Sequence, residues 1–578
     1  MPSSNILSTT KSSSSVVLQL IHVLSTLFRV SKPVLLATLL YTLFKYRHTA
    51  YGTTPRTDIP GPAGLPLLGN LIEMVRRPKQ LNYQTQTKYH GIYGQIYAMT
   101  LPGIGRVINV THPESLDHVL RVNFWAYEKG EYFRHILGPL IGSGIFGADG
   151  QHWKWQRRLA SHIFNVAAFR NYTSDVFCQE GQLVLDYLCT VADRAGDQNI
   201  VDLQSIFYMY TLDSFGEIAF GQSFGCLKDP EQEVEFATAF DRLNTTLANR
   251  FNAPMWPLTD RWNGLLEQVE KDQKTIFDFA YSVIRKRRAF QQQKLENQEK
   301  KKNGEPGQSP SGTKREKKDL MQLFMDAHDE NGEPLSDEMM RDTLLNFVLA
   351  GRDTTAQALS WMFYLIHRSQ SSGDILRKLT EETDRILGRG AQSLSKGDGS
   401  PTSTSTSEPT IQTYPRYPTV GLPTYETTKN QKYAEACFYE ALRLYPSVPQ
   451  NIKICVEDDV LPSGHKVYKG EKIGWSSWAM GRDTKIWGPD ASVYRPERWL
   501  TGEKASSSKF VSFHLGPRTC LGQQFATIEA ITIMSMLFQK FTFELVDPDN
   551  EPSYGPALTL PMDKGLPIRV RRRLDPIV

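Results

Sequence analysis

From Ser336 to Arg368 the apolar residues recur at helical spacing, and a helix of that length spans roughly 50 Å, enough to cross the body of a large domain. Ser336 followed by Asp337 and Glu338 suits a helix start, where a hydroxyl caps backbone N–H groups and carboxylates complement the positive end. The interior carries Ala350-Gly351-Arg352-Asp353-Thr354-Thr355. Glycine there costs about 1 kcal/mol against alanine, and Asp-Thr is a poor helix filler. The hexamer suggests a site, a widened turn that would hold water, with a polar break on a surface helix as the alternative reading of these six residues alone.

A second segment is sharper. Phe513-His514-Leu515-Gly516-Pro517-Arg518-Thr519-Cys520-Leu521-Gly522 precedes an apolar-periodic run, so a loop with two glycines delivers one cysteine to a helix start. The N–H groups and dipole of that terminus favour an anion and predict a lowered thiol pKa. A thiolate is what an axial haem-iron ligand requires. Gly516 and Gly522 would let backbone approach a flat macrocycle, and Arg518 would pair a propionate. A lone cysteine is usually an inert core residue; this context argues otherwise. The other cysteines, Cys178, Cys189, Cys226, Cys437 and Cys455, form no C-x-x-C pair, which makes a zinc ribbon or disulfide scaffold a poor reading.

The cysteine segment resembles the F-x-x-G-x-R-x-C-x-G signature of the cytochrome P450 family, the haem-thiolate monooxygenases, with every fixed position present. The resemblance runs from about Ile59 to the C-terminus apart from two insertions. It implies a mainly α fold with a smaller β part, haem b with Cys520 as the iron ligand, and Phe513, Gly516, Arg518 and Gly522 around the cofactor. It makes Thr354 the distal residue that assists protonation during oxygen activation, with Asp353 feeding protons from solvent. Glu440 and Arg443, facing each other at i, i+3, and Arg498 in Tyr494–Trp499 match the family's structural triad, which holds the cysteine loop. Trp153 and Arg157 resemble its W-x-x-x-R, which binds a propionate. Lys453 stands where relatives usually carry a propionate-binding Arg; lysine supplies charge but not a bidentate fork.

The resemblance also implies partners: NADPH–cytochrome P450 reductase, whose flavins pass on electrons from NADPH, with cytochrome b5 as a second candidate donor. In Leu349–Thr355 with Leu359-Ser360-Trp361, Gly516-Pro517-Arg518 and Trp478–Arg482 the chain is similar to the fungal alkane and fatty-acid hydroxylase branch and to plant fatty-acid ω-hydroxylases. The leading expectation is terminal or near-terminal hydroxylation of long-chain fatty acids, alkanes or fatty alcohols. The rivals are a hydroxylase of a steroid, terpenoid or polyketide, a haem-thiolate binding protein without turnover, and a membrane-tethered helical scaffold. By analogy the pocket walls come from Phe124–Ile145, Phe236–Trp256, Asn346–Ala350, Val448–Ile452 and Ala557–Met562, mostly apolar, with Arg250 read as a solvated arginine rather than a carboxylate partner.

Around this body the organisation is simple. Residues 1–15 read as a disordered lead and 16–46 as a retained membrane anchor interrupted by Arg29 and Lys32, either one tilted span or an interfacial helix followed by a short span. Lys45, Arg47, His48 and Arg56 put the remainder of the chain on the cytosolic side, here of the endoplasmic reticulum membrane. On that topology the sequons at Asn109, Asn171 and Asn244 are chance. Residues 47–70, with Ile59-Pro60-Gly61-Pro62, read as a stiff hinge, and 71–578 as the haem-binding domain, with solvated insertions at 285–318 and 389–423. The formal charge of +4 gives no electrostatic case for nucleic acid.

Overall fold

The computed structural model describes residues 32, 34–76, 82–164, 167–194, 196–253, 255–302, 320–329, 332–388, 421–502 and 506–573. Eleven helices carry the argument: α1 (Leu71–Arg76), α2 (Asn82–Tyr93), α3 (Gly130–Ile141), α4 (Gly150–Phe164), α5 (Ala167–Ala192), α6 (Leu203–Phe220), α7 (Glu235–Arg250), α8 (Leu265–Lys302), α9 (Asp337–Arg368), α10 (Lys432–Leu444) and α11 (Gln523–Lys540). The strands are β1 (Ile96–Leu101), β2 (Gly105–Val110), β3 (Tyr127–Glu128), β4 (Ile200–Asp202), β5 (Gln450–Cys455), β6 (Asp459–Val460), β7 (Lys466–Val467), β8 (Lys472–Ser476), β9 (Phe541–Leu545) and β10 (Pro567–Arg572). They form a five-stranded sheet ordered β1-β2-β8-β5-β3, a three-stranded sheet β4-β10-β9 and the hairpin β6-β7. Only β2 and β8 pair in parallel within the larger sheet. The fold is mainly helical with a smaller β part, as expected.

The long periodic segment is the central beam. Ser336 caps α9 by accepting from the Met339 N–H at 3.2 Å, and His367 and Arg368 sit in its last turn. Its C-terminal half is almost wholly buried, with Trp361 stacked on Tyr445 at 4.0 Å and its Nε1 donating to Leu560 O at 2.8 Å. Burying such a side chain contributes on the order of 2–3 kcal/mol. The expected widened turn is absent: α9 continues as α-helix through residues 350–355. Gly351 has a packing reason instead, because a Cβ there would stand 2.6 Å from the Phe215 ring on α6. Thr211 of α6 donates its hydroxyl to Arg352 O at 3.0 Å across the same crossing.

Two other expectations change. The proline-rich stretch is a docked strap: Ala98 N–H of β1 donates to Pro60 O at 2.8 Å, and a Cβ on Gly61 would collide with Ala98 O. The first expected insertion begins inside a helix, since residues 285–302 continue α8 and Arg288 pairs with Asp337 at 2.6 Å. Its remainder and nearly all of 389–423 lie outside the described residues, as do 1–31. Residues 34–45 are helical with an exposed apolar surface, and among the described residues no helix is long and apolar enough to cross a membrane.

Candidate active site

The cysteine loop is closed by its own backbone. Cys520 N–H donates to Phe513 O at 2.8 Å, Thr519 Oγ1 to Gly516 O at 2.7 Å, and Ser512 Oγ ties the loop to Leu442 O of α10 at 2.8 Å. Gly516 has φ +68°, and a Cβ there would lie 2.1 Å from Leu120 O, so only glycine fits. Gly522 is different. It precedes α11 with φ −86°, and its Cβ would sit 3.8 Å from the Cys520 sulfur, an ordinary contact. Its lack of a side chain keeps space beside the sulfur rather than permitting the turn.

Cys520 is the one exposed cysteine of the chain. The residue keeps exposed surface while its sulfur lies deep among protein atoms, and burial raises the thiol above its ordinary value. The Gly522 backbone N–H and the Arg157 charge act in the opposite sense, as the helix-start argument requires, but burial outweighs them. The expected lowering of the thiol is therefore reversed in the protein alone.

Beside the loop lies an accumulation of positive charge. Lys453 on β5 is fully buried, donates from Nζ to Tyr127 O at 2.8 Å and lies over the Phe124 ring at 4.4 Å. Arg518 stacks over Trp153 at 4.6 Å and donates from Nη2 to Ala148 O at 2.6 Å and Asp149 at 2.9 Å, while its Nε has no partner among the described residues. Arg157, one turn after buried Trp153 on α4, makes no ion pair or hydrogen bond among the described residues. Lys129 completes the group. Burial, and then repulsion from Arg518, depress Lys453 well below the ordinary lysine range and Lys129 to about 7. Burial, with a smaller contribution from Arg157, brings Arg518 to about 10, and Asp149 and Glu128 oppose. His514, with positive φ and an unpartnered Nε2, is held to about 3 by burial and these cations.

Behind the loop the triad is assembled. The Glu440 carboxylate accepts from Arg443 Nη2 (2.8 Å) and Nε (2.9 Å), and from Arg498 Nε, Trp499 Nε1 and Arg495 N–H, each at 2.9 Å. Arg443 Nη1 reaches the carbonyls of Gly481 and Ala491.

On α9, Thr354 donates its hydroxyl to Ala350 O at 2.6 Å, and its own carbonyl accepts from Ser447 at 2.7 Å. Asp353 is buried, contrary to a direct contact with solvent. It accepts from Arg352 at 3.0 Å and Asn244 Nδ2 at 2.8 Å, and burial holds its carboxyl above the usual range despite Arg352. Arg352 also pairs with Asp241 of α7, whose side chain is 55% exposed.

The match with known proteins covers the same residues. The cytochrome P450 family model matches residues 59–566. The chain belongs to this family. It is 34% identical to cytochrome P450 monooxygenase cyp1 of Mycosarcoma maydis over 92% of its own length and 78% of that protein. It is 34% identical to cytochrome P450 704B1 of Arabidopsis thaliana (80% and 86% of the two chains) and 29% to cytochrome P450 94A2 of Vicia sativa (90% and 93%).

The P450 chain is accordingly a monooxygenase, and the family implies a haem whose iron takes a cysteine thiolate. The residues fit that group. Cys520 is the exposed cysteine, and the buried, mutually repelling cations, only partly offset by the carboxylates of Asp149 and Glu128, suit a dianionic cofactor edge. Sequence reasoning found Arg157, Lys453 and Arg518 but missed Lys129 and Asp149, and it missed Asn244 and Asp241 around Asp353. No local spacing marks them, since their partners lie about a hundred to several hundred residues away.

A cavity of about 360 Å³ opens between α1, α2, the end of α7 and the Tyr554–Ala557 turn. Ala248, Ala253 and Ala557 bring two of the expected wall segments to it, while no residue of the cysteine loop lines it. Asn346 of another expected wall holds the loop after α3, donating to Ile141 O at 2.7 Å. Arg250 is buried, not solvated: it pairs with Asp260 at 2.9 Å and stacks on Trp256 at 4.1 Å.

Proposed function

We propose that this P450 hydroxylates long-chain fatty acids at or near the terminal carbon, with related alkanes and fatty alcohols as further substrates, using O₂ and NADPH-derived electrons passed by a flavin reductase, with cytochrome b5 as an accessory donor. The observation that carries the haem-thiolate chemistry is Cys520, accessible beside a cluster of buried, under-neutralised cations. Bound haem supplies the oxygen activation and C–H oxidation. The chain's residues do the rest. Cys520 provides the thiolate; Arg157, Lys453, Arg518 and Trp153 hold the propionates; Phe513, Gly516 and Gly522 shape the loop against the macrocycle; Glu440, Arg443 and Arg498 fix it from behind. Burial raises the Asp353 carboxyl to about 6, near enough to neutral pH to take and release a proton, and Asp241, reached through Arg352, connects it to solvent. The intact Asp353–Thr354 pair favours turnover over a binding protein.

The substrate reading rests on the sequence likeness to fatty-acid hydroxylases, with the mainly apolar cavity between α1, α2 and the end of α7 as a candidate entry for a long chain. Leu65, Leu68, Val75, Met255 and Leu258 are exposed, three of them on segments bordering this cavity. The apolar helix at 34–45 leads to the same side, where Tyr51 N–H donates to Leu67 O at 2.9 Å. That arrangement supports an endoplasmic-reticulum protein anchored by its N-terminus, with this face toward lipid and the body in the cytosol. Titrating the purified holoprotein with saturated fatty acids of graded length, and then analysing the product with reductase, tests the substrate. A low-to-high-spin shift and terminal hydroxylation are expected. A shift with a steroid and none with any fatty acid overturns the substrate class.

A further inference from the structure

The five-stranded sheet buries a lysine on each of its faces. Side chains alternate along a strand, and residues directly opposite on paired strands share a face. On β8, Ile473 stands opposite Lys453 of β5, and Trp475 shares that face and meets His514 of the cysteine loop edge-on at 5.4 Å. Lys472 therefore falls on the other face, between Val107 of β2 and Ile454 of β5, away from the propionate cations. It is 8% exposed. Its Nζ donates to Ile104 O at 2.5 Å and lies 5.6 Å from the centre of the Tyr132 ring. An ammonium has three donors to place, and Lys472 forms no ion pair among the described residues. Burial lowers it below the ordinary lysine value, and no charged group acts on it in either sense. The neighbouring arginines differ: Arg106 of β2 pairs with Glu471 at 2.9 Å, and Arg250 at the end of α7 with Asp260 at 2.9 Å. Their charges are met within the protein and that of Lys472 is not. A buried cation without a counter-charge is costly, and an entering carboxylate offsets that cost.

The surroundings of Lys472 point to the source of that carboxylate. Ile104, whose carbonyl holds Nζ, belongs to a small apolar cluster with Leu101 and Val107, against which Leu71, Met74 and Tyr132 pack. Leu71 and Met74 are also walls of the 360 Å³ cavity, a volume within the range of about 300–1,000 Å³ usual for small-molecule sites. Tyr132 spans toward the opposite wall, its ring 6.0 Å from that of Phe251, between the cavity residues Asn249 and Asn252. Its hydroxyl makes no hydrogen bond among the described residues, and burial holds the phenol protonated, raising it to about 12. We propose that Lys472, with the Tyr132 hydroxyl as a second donor, binds the carboxylate of a long-chain fatty acid at the sheet side of this cavity. The inference deepens the fatty-acid reading and rests on it. Lys472 and the cysteine loop lie on opposite faces of the sheet, so an acid held there keeps its carboxyl away from the cofactor and leaves the hydrocarbon end as the part that reaches it. Oxidation at or near the terminal carbon follows from that polarity.

Titrating the full-length holoprotein with hexadecanoic acid, hexadecanol and hexadecane, read by the spin-state shift, tests the site. The wild type should bind the acid at least about tenfold more tightly than the alcohol, as a charge-assisted hydrogen bond requires. Lys472→Met keeps the stem and removes the charge, and because no carboxylate loses a partner the fold should hold. It should weaken the acid at least about tenfold and leave the alcohol within about twofold. Lys472→Arg should retain most of the acid affinity, and Tyr132→Phe should show a smaller loss confined to the acid. In turnover, Lys472→Met should raise KM for the acid with kcat little changed, the pattern of binding lost equally from ground and transition states. Equal acid affinity in wild type and Lys472→Met, or an equal loss for acid and alcohol, overturns the assignment and leaves the fatty-acid reading in place. If Lys472→Met does not fold, the wild type decides, since no preference for acid over alcohol overturns the assignment. A wild type that shows the thiolate haem spectrum and responds to none of the three compounds overturns the long-chain reading, and the Lys472 site with it.

Discussion

Glu440 is the most exacting test of the architecture behind the cysteine loop. Its two oxygens receive five donors, three of them from the guanidinium groups of Arg443 and Arg498, whose side chains are almost wholly buried. In Glu440→Gln the volume is kept, but one oxygen becomes an NH₂ that faces donors, either Arg443 Nε and Trp499 Nε1 or the Oε1 set. Two buried guanidinium groups then have no counter-charge from this position. Removing one partner of a buried ion pair costs about 3–5 kcal/mol, whereas a merely exposed pair would cost about 0–1. At about 1.4 kcal/mol per decade, the folding equilibrium should fall by roughly two to three and a half orders of magnitude, a large share of an ordinary stability of about 5–15 kcal/mol. Urea unfolding followed by tryptophan fluorescence, with haem occupancy measured in parallel, reads the effect. A loss below about 1 kcal/mol with full haem occupancy would refute the claim that this carboxylate holds the loop. Glu440→Ala should be more severe and Arg498→Lys milder, since lysine keeps the charge and loses the fork.

Other substitutions separate fold from cofactor. Gly516→Ala must adopt a positive φ with its Cβ against Leu120 O, so it should cost about 1–3 kcal/mol or more in urea unfolding; wild-type stability would contradict that reading. Gly522→Ala should keep stability within about 0.5 kcal/mol yet alter the haem spectrum, because its methyl adds bulk 3.8 Å from the cysteine sulfur. Thr354→Ala should keep haem and divert electrons to released hydrogen peroxide; fully coupled product formation would remove Thr354 from proton delivery. For Asp353 the folded pKa is raised above the unfolded one, so the neutral acid's stabilising contribution is present below the ordinary carboxylate range and is lost as pH rises through the folded value. Urea midpoints of wild type minus Asp353→Asn should therefore fall as pH rises from about 4. A difference that grows with pH would reverse the sign.

Features set by local chemistry were legible in the amino-acid order. The Ser336 cap, the helical period to Arg368 and the Glu440–Arg443 spacing each act over a few residues, and each predicted its element or contact. Where packing decided, reading along the chain failed. Gly351 looked like part of a widened turn and is a contact surface for Phe215; Arg250 looked solvated and lies on Trp256 beside Asp260. The proline-rich strap looked free because its partner, Ala98 of β1, lies far along the chain. The same limit explains Lys129, Asp149, Asn244 and Asp241, ordinary polar residues until the fold brings them to Lys453, Arg518 and Asp353. The Cys520 thiol shows competing effects of different range: the helix start was visible in sequence, the burial that outweighs it was not.

The reduced carbon-monoxide difference spectrum of the haem-supplied full-length protein, beside Cys520→Ser, tests the central claim most directly. The unaltered protein should show the long-wavelength Soret band of thiolate-ligated haem and the variant should lose it. The band persisting in Cys520→Ser, or missing from folded haem-supplied wild type, would contradict the assignment of Cys520 and the chemistry built on it.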